Sequence, residues 1–294
     1  MNATRIAPKT TMFDTVFQGR TGVLGSYLIK GEKTALVDPG PPVQAVQIIN
    51  EMRRSDMKLD YIALTHIHLD HAAGTWNMLQ EHPEAQVVVH PRGAAHMIDP
   101  TNLLEAALKQ YNGVMPPYGE VHGISPETII ETEDNMNLDL GGVQLRILWT
   151  PGHSTHSQSF YEKENGIIFS GDAAGQTRNS IALPTSPPPF NPEQSVESIN
   201  RMIELNPRMV CVSHFGYRTD AMDFLEQLKN RIMLWEKLSF QCVDAGGDLH
   251  KYFDLIYSND KEVEQLIESS PEAKSDVYGT LVGFLSYTKW KRQQ

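Results

Sequence analysis

Cysteine is scarce in this chain: only Cys211 and Cys242 occur among 294 residues. Two are too few for a disulfide framework, and their spacing is not that of a C-x-x-C redox or zinc pair. Cys211 falls in the apolar run Met209-Val210-Cys211-Val212 and reads as a buried small hydrophobe rather than a reactive thiol. Long hydrophobic runs are missing too. No stretch approaches the ~20 apolar residues of a membrane span. Met1 to Phe17 mixes Asn, Thr, Arg, Lys and Asp where a secretory leader needs a continuous apolar segment. The expected compartment is therefore the reducing cytoplasm, with no membrane partner. Positive charge is in deficit, with 25 Lys and Arg against 36 Asp and Glu and a formal net charge of -11. Such a surface repels phosphate backbones, so nucleic acid is not an expected partner. Low-complexity tracts, solenoid repeats and a G-x-S-x-G serine elbow are also absent. At 40% hydrophobic and 21% charged residues the chain is ordinary for a globular protein long enough to bury a large core.

What the sequence does contain is histidine in one concentrated place. His66-Ile67-His68-Leu69-Asp70-His71 puts three imidazoles and a carboxylate directly after the apolar run Leu59 to Leu64. If that run is a strand, His66 and His68 at i and i+2 project to one side and can grip one ion. Asp70 and His71, where the chain turns toward a helix-like stretch, Ala72 to Gln80, can face a second.

The remaining pattern is mixed α/β. Strands are expected at Val23–Ile29, Thr34–Val37, Tyr61–Leu64 and Gln86–Val89, with helices at Val43–Arg54 and Asn102–Tyr111. Beyond them the chain turns to hairpins, with Gly141-Gly142 and Asn165-Gly166 as turn signals and strands at Val143–Trp149 and Gly166–Phe169. The proline-rich Ala182–Phe190 reads as a stiff extended loop, either a wall of the site or a packed surface connection. A helix at Glu193–Leu205 and a strand at Met209–Val212 lead to His214, and everything from about Thr219 onward reads as helical.

Three further segments end strands with a ligand type beside glycine: Thr150-Pro151-Gly152-His153, Ser170-Gly171-Asp172 and Ser213-His214-Phe215-Gly216. With these added, the chain resembles the metallo-β-lactamase superfamily over roughly residues 10 to 217. The resemblance implies an αββα sandwich, residues 1–217, followed by a C-terminal helical extension, residues 218–294. It implies one metal held by His66, His68 and His153, another by Asp70, His71 and His214, and Asp172 bridging them. Asp38, in Val37-Asp38-Pro39-Gly40, matches an early aspartate that supports the metal loop from behind. The implied cofactors are two divalent ions, zinc above all, with iron or manganese equally compatible with imidazole and carboxylate ligands. The implied chemistry is attack by a metal-bound hydroxide on a carbonyl, with Asp70 orienting it and carrying its proton.

Departures from known branches narrow the substrate. The bridging Asp172 separates the chain from the antibiotic-destroying β-lactamases, and His at position 68 separates it from the diiron reductases with H-x-E-x-D-H. What is left is the hydroxyacylglutathione hydrolase (glyoxalase II)-like group, acting on thioesters, lactones and related esters of small molecules. Ala173-Ala174-Gly175-Gln176-Thr177 replaces the Gly-Cys-Gly stretch of glyoxalase II, so a glutathione substrate is not implied. A mononuclear iron persulfide dioxygenase and a ligand-binding regulator with a vestigial site are the competing readings. His156, Tyr217, Tyr252, Tyr257 and Tyr278 are the candidate substrate contacts; the tail tyrosines could equally pack the helices or form a homodimer contact.

Overall fold

The computed structural model describes residues 1–294. Two sheets face each other. The first has seven strands in chain order: β1 (Asn2–Ala7), β2 (Thr10–Asp14), β3 (Gly25–Lys30), β4 (Thr34–Val37), β5 (Tyr61–Ala63), β6 (Gln86–Val89) and β7 (Ile129–Glu131). The second contains β8 (Asn137–Asp139), β9 (Gln144–Trp149), β10 (Gln158–Glu162), β11 (Ile167–Gly171), β14 (Met209–Val212) and β15 (Gly216–Arg218), in spatial order β15-β14-β11-β10-β9-β8. A separate hairpin is formed by β12 (Gln176–Arg178) and β13 (Ile181–Leu183). Helices α1 (Pro42–Arg54), α2 (Leu69–Ala72), α3 (Thr75–Glu81), α4 (Pro91–Ile98) and α5 (Thr101–Gln110) fall among the strands of the first sheet. Helix α6 (Pro192–Glu204) precedes β14, and α7 (Ala221–Asp244), α8 (Leu249–Asn259), α9 (Lys261–Ser269) and α10 (Ala273–Lys291) close the chain.

Side-chain alternation along the strands creates three apolar layers. Tyr27 and Ile29 of β3, Val37 of β4 and Ala63 of β5 point between the sheets, where they meet Ile147, Phe160, Phe169 and Cys211 from β9, β10, β11 and β14. Their neighbours Leu28, Leu36 and Ile62 turn outward against Ile48 and Met52 of α1, Met78 of α3 and Met97 of α4. On the other sheet, Leu148, Ile168, Val210 and Val212 turn outward against Ile199 and Met202 of α6 and against Trp235, Tyr252 and Phe284 of the tail helices. This is the expected αββα sandwich with its C-terminal helical segment.

Three differences have local causes. The β1–β2 hairpin has no counterpart in the sequence reading because β1 lies at a sheet edge with every residue exposed or half-buried, so no apolar alternation marks it. The helix expected over Ala72–Gln80 is two helices, α2 and α3, separated by Ala73 and Gly74. A Cβ on Gly74 would sit 2.6 Å from the Cβ of Ala45, so glycine lets the metal loop lie against α1. The division expected after residue 217 falls inside β15, and the largest apolar cluster crosses it: 30 buried residues drawn from β9–β11, the turn after β11, β13, the proline-rich loop, α6, β14 and the tail.

The tail is therefore the outer cover of the second sheet. Trp235 is fully buried and bonds through its indole N–H to Asp260 at 2.9 Å. Trp235→Ala should cost about 3–5 kcal/mol in urea unfolding, and a chain ending at Tyr217 should aggregate, because the apolar cluster on the outer face of the second sheet would lose the tail's share of its residues. A soluble, cooperatively folding truncation would show that the core does not need it.

Candidate metal centre

All the candidate ligands lie just past the C-terminal ends of strands: His66–His71 after β5, His153 after β9, Asp172 after β11 and His214 after β14. Cross-sheet hydrogen bonds hold these ends together. Gln158 Nε2 donates to Leu64 O at 2.8 Å, its backbone N–H donates to Thr65 O at 2.8 Å, and Gly25 N–H donates to Ser213 O at 2.9 Å. His66 and His68 lie beyond the strand in an irregular loop, yet their rings are 4.6 Å apart.

Three groups of donor atoms converge, each within 4.8 Å of one another: His66, His68 and His153; Asp70, His71 and His214; and His66, His71 and Asp172. His153 Nε2 and His68 Nδ1 are 3.0 Å apart. Asp172 lies among them, one carboxylate oxygen 3.5 Å from His71 Nε2 and the other 3.5 Å from His214 Nε2 and 3.6 Å from His153 Nε2. Asp70 Oδ2 is 3.3 Å from His214 Nε2 and 3.7 Å from His71 Nε2. His66 Nε2, His71 Nε2 and Asp172 Oδ1 are buried without any hydrogen-bond partner. Such orphans cost ~1–3 kcal/mol each unless something answers them, and cations fit this donor set.

The rings are aimed from behind. Buried Asp38, whose backbone sits in the left-handed region at φ 50°, accepts Thr65 N–H at 2.8 Å, Thr65 Oγ1 at 2.6 Å, Ser213 Oγ at 3.0 Å and His71 Nδ1 at 3.1 Å. Because the Thr65 hydroxyl proton goes to Asp38, its oxygen is left to accept from His66 Nδ1 at 3.1 Å. His153 Nδ1 donates to Thr185 O at 2.8 Å. Each bond assigns the proton to Nδ1, leaving Nε2 to face the centre. Gly171 is required here, since a Cβ at its φ of 53° would meet Thr65 Oγ1 at 2.2 Å. Thr65 and Ser213 each stand one residue before a ligand, a signal in the sequence that adjacency alone could have flagged. The Thr185 carbonyl has no such signal.

Charge divides the histidines. Burial, joined by neighbouring imidazoles, pushes His66 and His68 well below the ordinary value, and burial lowers His153 as well. Burial also opposes charge on His71 and His214, but Asp70 and Asp172 outweigh it, raising His71 to about 10 and His214 above the usual range. Burial works to raise Asp70, yet the charges of His71 and His214 hold it below the usual carboxylate range. Without a metal, a proton on His71 offsets part of the negative charge around it.

The centre opens into a cavity of about 760 Å³. His156 lines it, its Nδ1 3.0 Å from Ser154 Oγ and its ring stacked 6.3 Å from that of His66; burial lowers its pKa to about 3. The proline-rich loop is a wall, through Thr185 to Pro189. The four tyrosines are not lining residues. Tyr252 is fully buried and donates to Trp235 O at 2.7 Å inside the helical layer. Tyr257 and Tyr278 pack around Phe253, and Tyr217 is exposed on β15, away from the cavity. The tail does reach the cavity, but through Ser275, Asp276, Gly279, Thr280 and Val282 of α10. His96 and Tyr111, which the sequence did not single out as functional, line it as well.

Metal uptake must displace the proton on His71, whereas His66, His68 and His153 are already neutral. With His71 raised to about 10 its proton is bound at pH 7, so uptake should release at least one proton per chain and weaken as pH falls. Calorimetry in buffers of different ionisation enthalpy counts them; no release at pH 7 would contradict this charge arrangement. Asp38→Ala should weaken metal affinity about 10- to 100-fold with the ligands untouched.

The Metallo-beta-lactamase superfamily model matches residues 22–214. The chain is 32% identical over 226 residues to the metallo-beta-lactamase fold-containing protein ST1585 of Sulfurisphaera tokodaii, covering 75% of this chain and 82% of that one. The crystal structure of ST1585 superposes with a TM-score of 0.65 over 77% of this chain and 87% of that one, at 29% identity. The metallo-beta-lactamase family protein TTHA1429 of Thermus thermophilus shares the fold over 98% of this chain and 95% of its own, with a TM-score of 0.69 at 20% identity. No helix is long and apolar enough to cross a membrane. With its family motif spanning both sheets and its His and Asp clusters at their ends, the chain belongs to the metallo-β-lactamase superfamily.

Proposed function

We propose that this chain is a dinuclear metal-dependent hydrolase that cleaves the acyl bond of a small ester, thioester or lactone. The observation that carries the reading is the set of converging donors, three of them buried and unpartnered, at the floor of a cavity large enough for a small molecule. In this reading His66, His68 and His153 hold one ion, Asp70, His71 and His214 the other, and Asp172 lies between them. Zinc suits these donors, as do iron and manganese. Two ions bound there would bring the pKa of a water toward neutral and polarise an acyl carbonyl.

The chain's own groups do the rest. Asp70 is ionised at neutral pH and lines the cavity. Its carboxylate is placed to accept a water's hydrogen bond, orient that water toward the carbonyl and pass its proton to the leaving group. His156 stays neutral and is held by Ser154, so it can hydrogen-bond the substrate without adding charge. The Thr185–Pro189 wall limits water access from one side. Support also comes from a relative named probable hydroxyacylglutathione hydrolase in Schizosaccharomyces pombe, 27% identical over 158 residues, which cover 52% of this chain and 49% of that protein.

Elemental analysis should approach two metals per chain, and Asp172→Ala should lose the second metal with most of the activity against a panel of esters, thioesters and lactones. Asp70→Asn should lower turnover about 100-fold or more. One metal with full activity, or turnover that survives metal stripping, would remove the dinuclear mechanism. Oxygen uptake with a persulfide in place of hydrolysis would instead favour single-iron dioxygenase chemistry.

A further inference from the structure

We infer that the substrate's acyl portion is uncharged and apolar, and that it lies between α5 and α10. For the reaction this rests on the hydrolase reading; for the shape and charge of the ligand it stands on the cavity. From His68, Asp70 and Asp172 at the metal end, the cavity continues to Gly279 and Val282 of α10, about 760 Å³ in all. That is far more than a two-carbon acyl group fills.

None of the 25 residues lining the cavity is lysine or arginine. Its remote carboxylate, Asp276, is already paired with Arg178 at 2.8 Å. The positive charge available to a ligand is therefore concentrated at the metal end. An anionic group carried beyond that end would lose its water against helix and loop surfaces that offer it no cation. The surface of the walls facing it is mostly apolar instead, with neutral polar groups such as Asn102, Gln110, Ser275 and Thr280 set into it. Leu103, Ala106 and Ala107, at i, i+3 and i+4 on α5, line one side. None of the ten residues of α5 is fully buried: Leu103 and Ala107 are half-buried against Leu69, Ala73 and Tyr118 and Ala106 is exposed, so the core covers this face only in part. The opposing wall, on α10, presents Gly279, where an added Cβ would meet nothing within 4 Å. Glycine there keeps the channel open at a position whose helical backbone does not require it. An apolar chain passing between the two helices covers the α5 face and fills that space.

Hydroxamates test this without relying on turnover, because the hydroxamate group chelates the metals and its tail reports on the channel. The probes are acetohydroxamate, octanohydroxamate, and the eight-carbon hydroxamate that ends in a carboxylate, each titrated by calorimetry into the zinc-loaded full chain. Octanohydroxamate should bind at least ~10-fold more tightly than acetohydroxamate, since burying added methylenes is favourable. The carboxylate-ended probe should lose most of that gain. Gly279→Trp should abolish the gain while holding acetohydroxamate affinity within about twofold, because the new side chain fills the channel and leaves the metal end open. Gly279→Ala, which only improves helix propensity, should keep the wild-type ranking. Equal affinities across the three probes, no binding by any of them, or a Gly279→Trp effect that weakens short and long probes alike would overturn the inference. A preserved ranking in a protein that hydrolyses no ester, thioester or lactone would overturn the hydrolase reading and leave the channel standing.

Discussion

One buried carboxylate organises the centre. Asp38 sits at the end of β4 and accepts hydrogen bonds from Thr65 after β5, Ser213 after β14 and His71 in α2. Those bonds join segments from both sheets through a single side chain. They also propagate: the Thr65 hydroxyl, having given its proton to Asp38, orients His66. A buried carboxylate is tolerable only when its lone pairs are satisfied, and four N–H and O–H donors do that here. Without it, the loop that carries His66 to His71 would lose the bonds that set two of its rings.

The electrostatics of the site follow from where the carboxylates lie. Asp70 and Asp172 stand beside His71 and His214 and favour protons, or cations, on that side. On the other side, burial and mutual repulsion keep His66, His68 and His153 neutral and ready to donate lone pairs. Imidazoles of the same intrinsic basicity thus occupy two different electrical environments a few ångströms apart. The division comes from the third dimension, because His68 and His71 are close neighbours in the chain and fall on opposite sides of it.

The tail helices have two roles in one packing arrangement. Trp235, Tyr252 and Phe284 cover the outward face of the second sheet, while Gly279 and Val282 on the same α10 reach the cavity. A helix that must satisfy an apolar layer on one side and border a ligand space on another has little uniform amphipathic character. Its aromatics go to the layer that needs volume, and its small residues go to the cavity. That is why the aromatic richness of the tail pointed at the pocket from the sequence, and why α10 instead borders it with non-aromatic residues, Ser275, Asp276, Gly279, Thr280 and Val282.

Local chemistry determined a good deal in advance. The His66–His71 cluster, the single His153, Asp172 and His214 at strand ends, and the Asp38 turn are all short-range patterns, and a strand followed by a tight turn aims its next residues predictably. The αββα layers were legible because the ordered ligand motifs resemble those of the superfamily, while the central strands, buried at nearly every position, carry apolar runs rather than a period-two alternation. The polar edge strand β1 carried no such signal, and the break between α2 and α3 depends on how closely Ala45 approaches Gly74, a distance set by tertiary packing. Only the folded chain decided that Tyr252 bonds to Trp235 instead of a ligand, that a backbone carbonyl at Thr185 orients His153, and that α5 and α10 both border the cavity. Residue type and spacing specify which atoms can bind a metal, but the contents of a cavity wall depend on contacts between elements far apart in sequence.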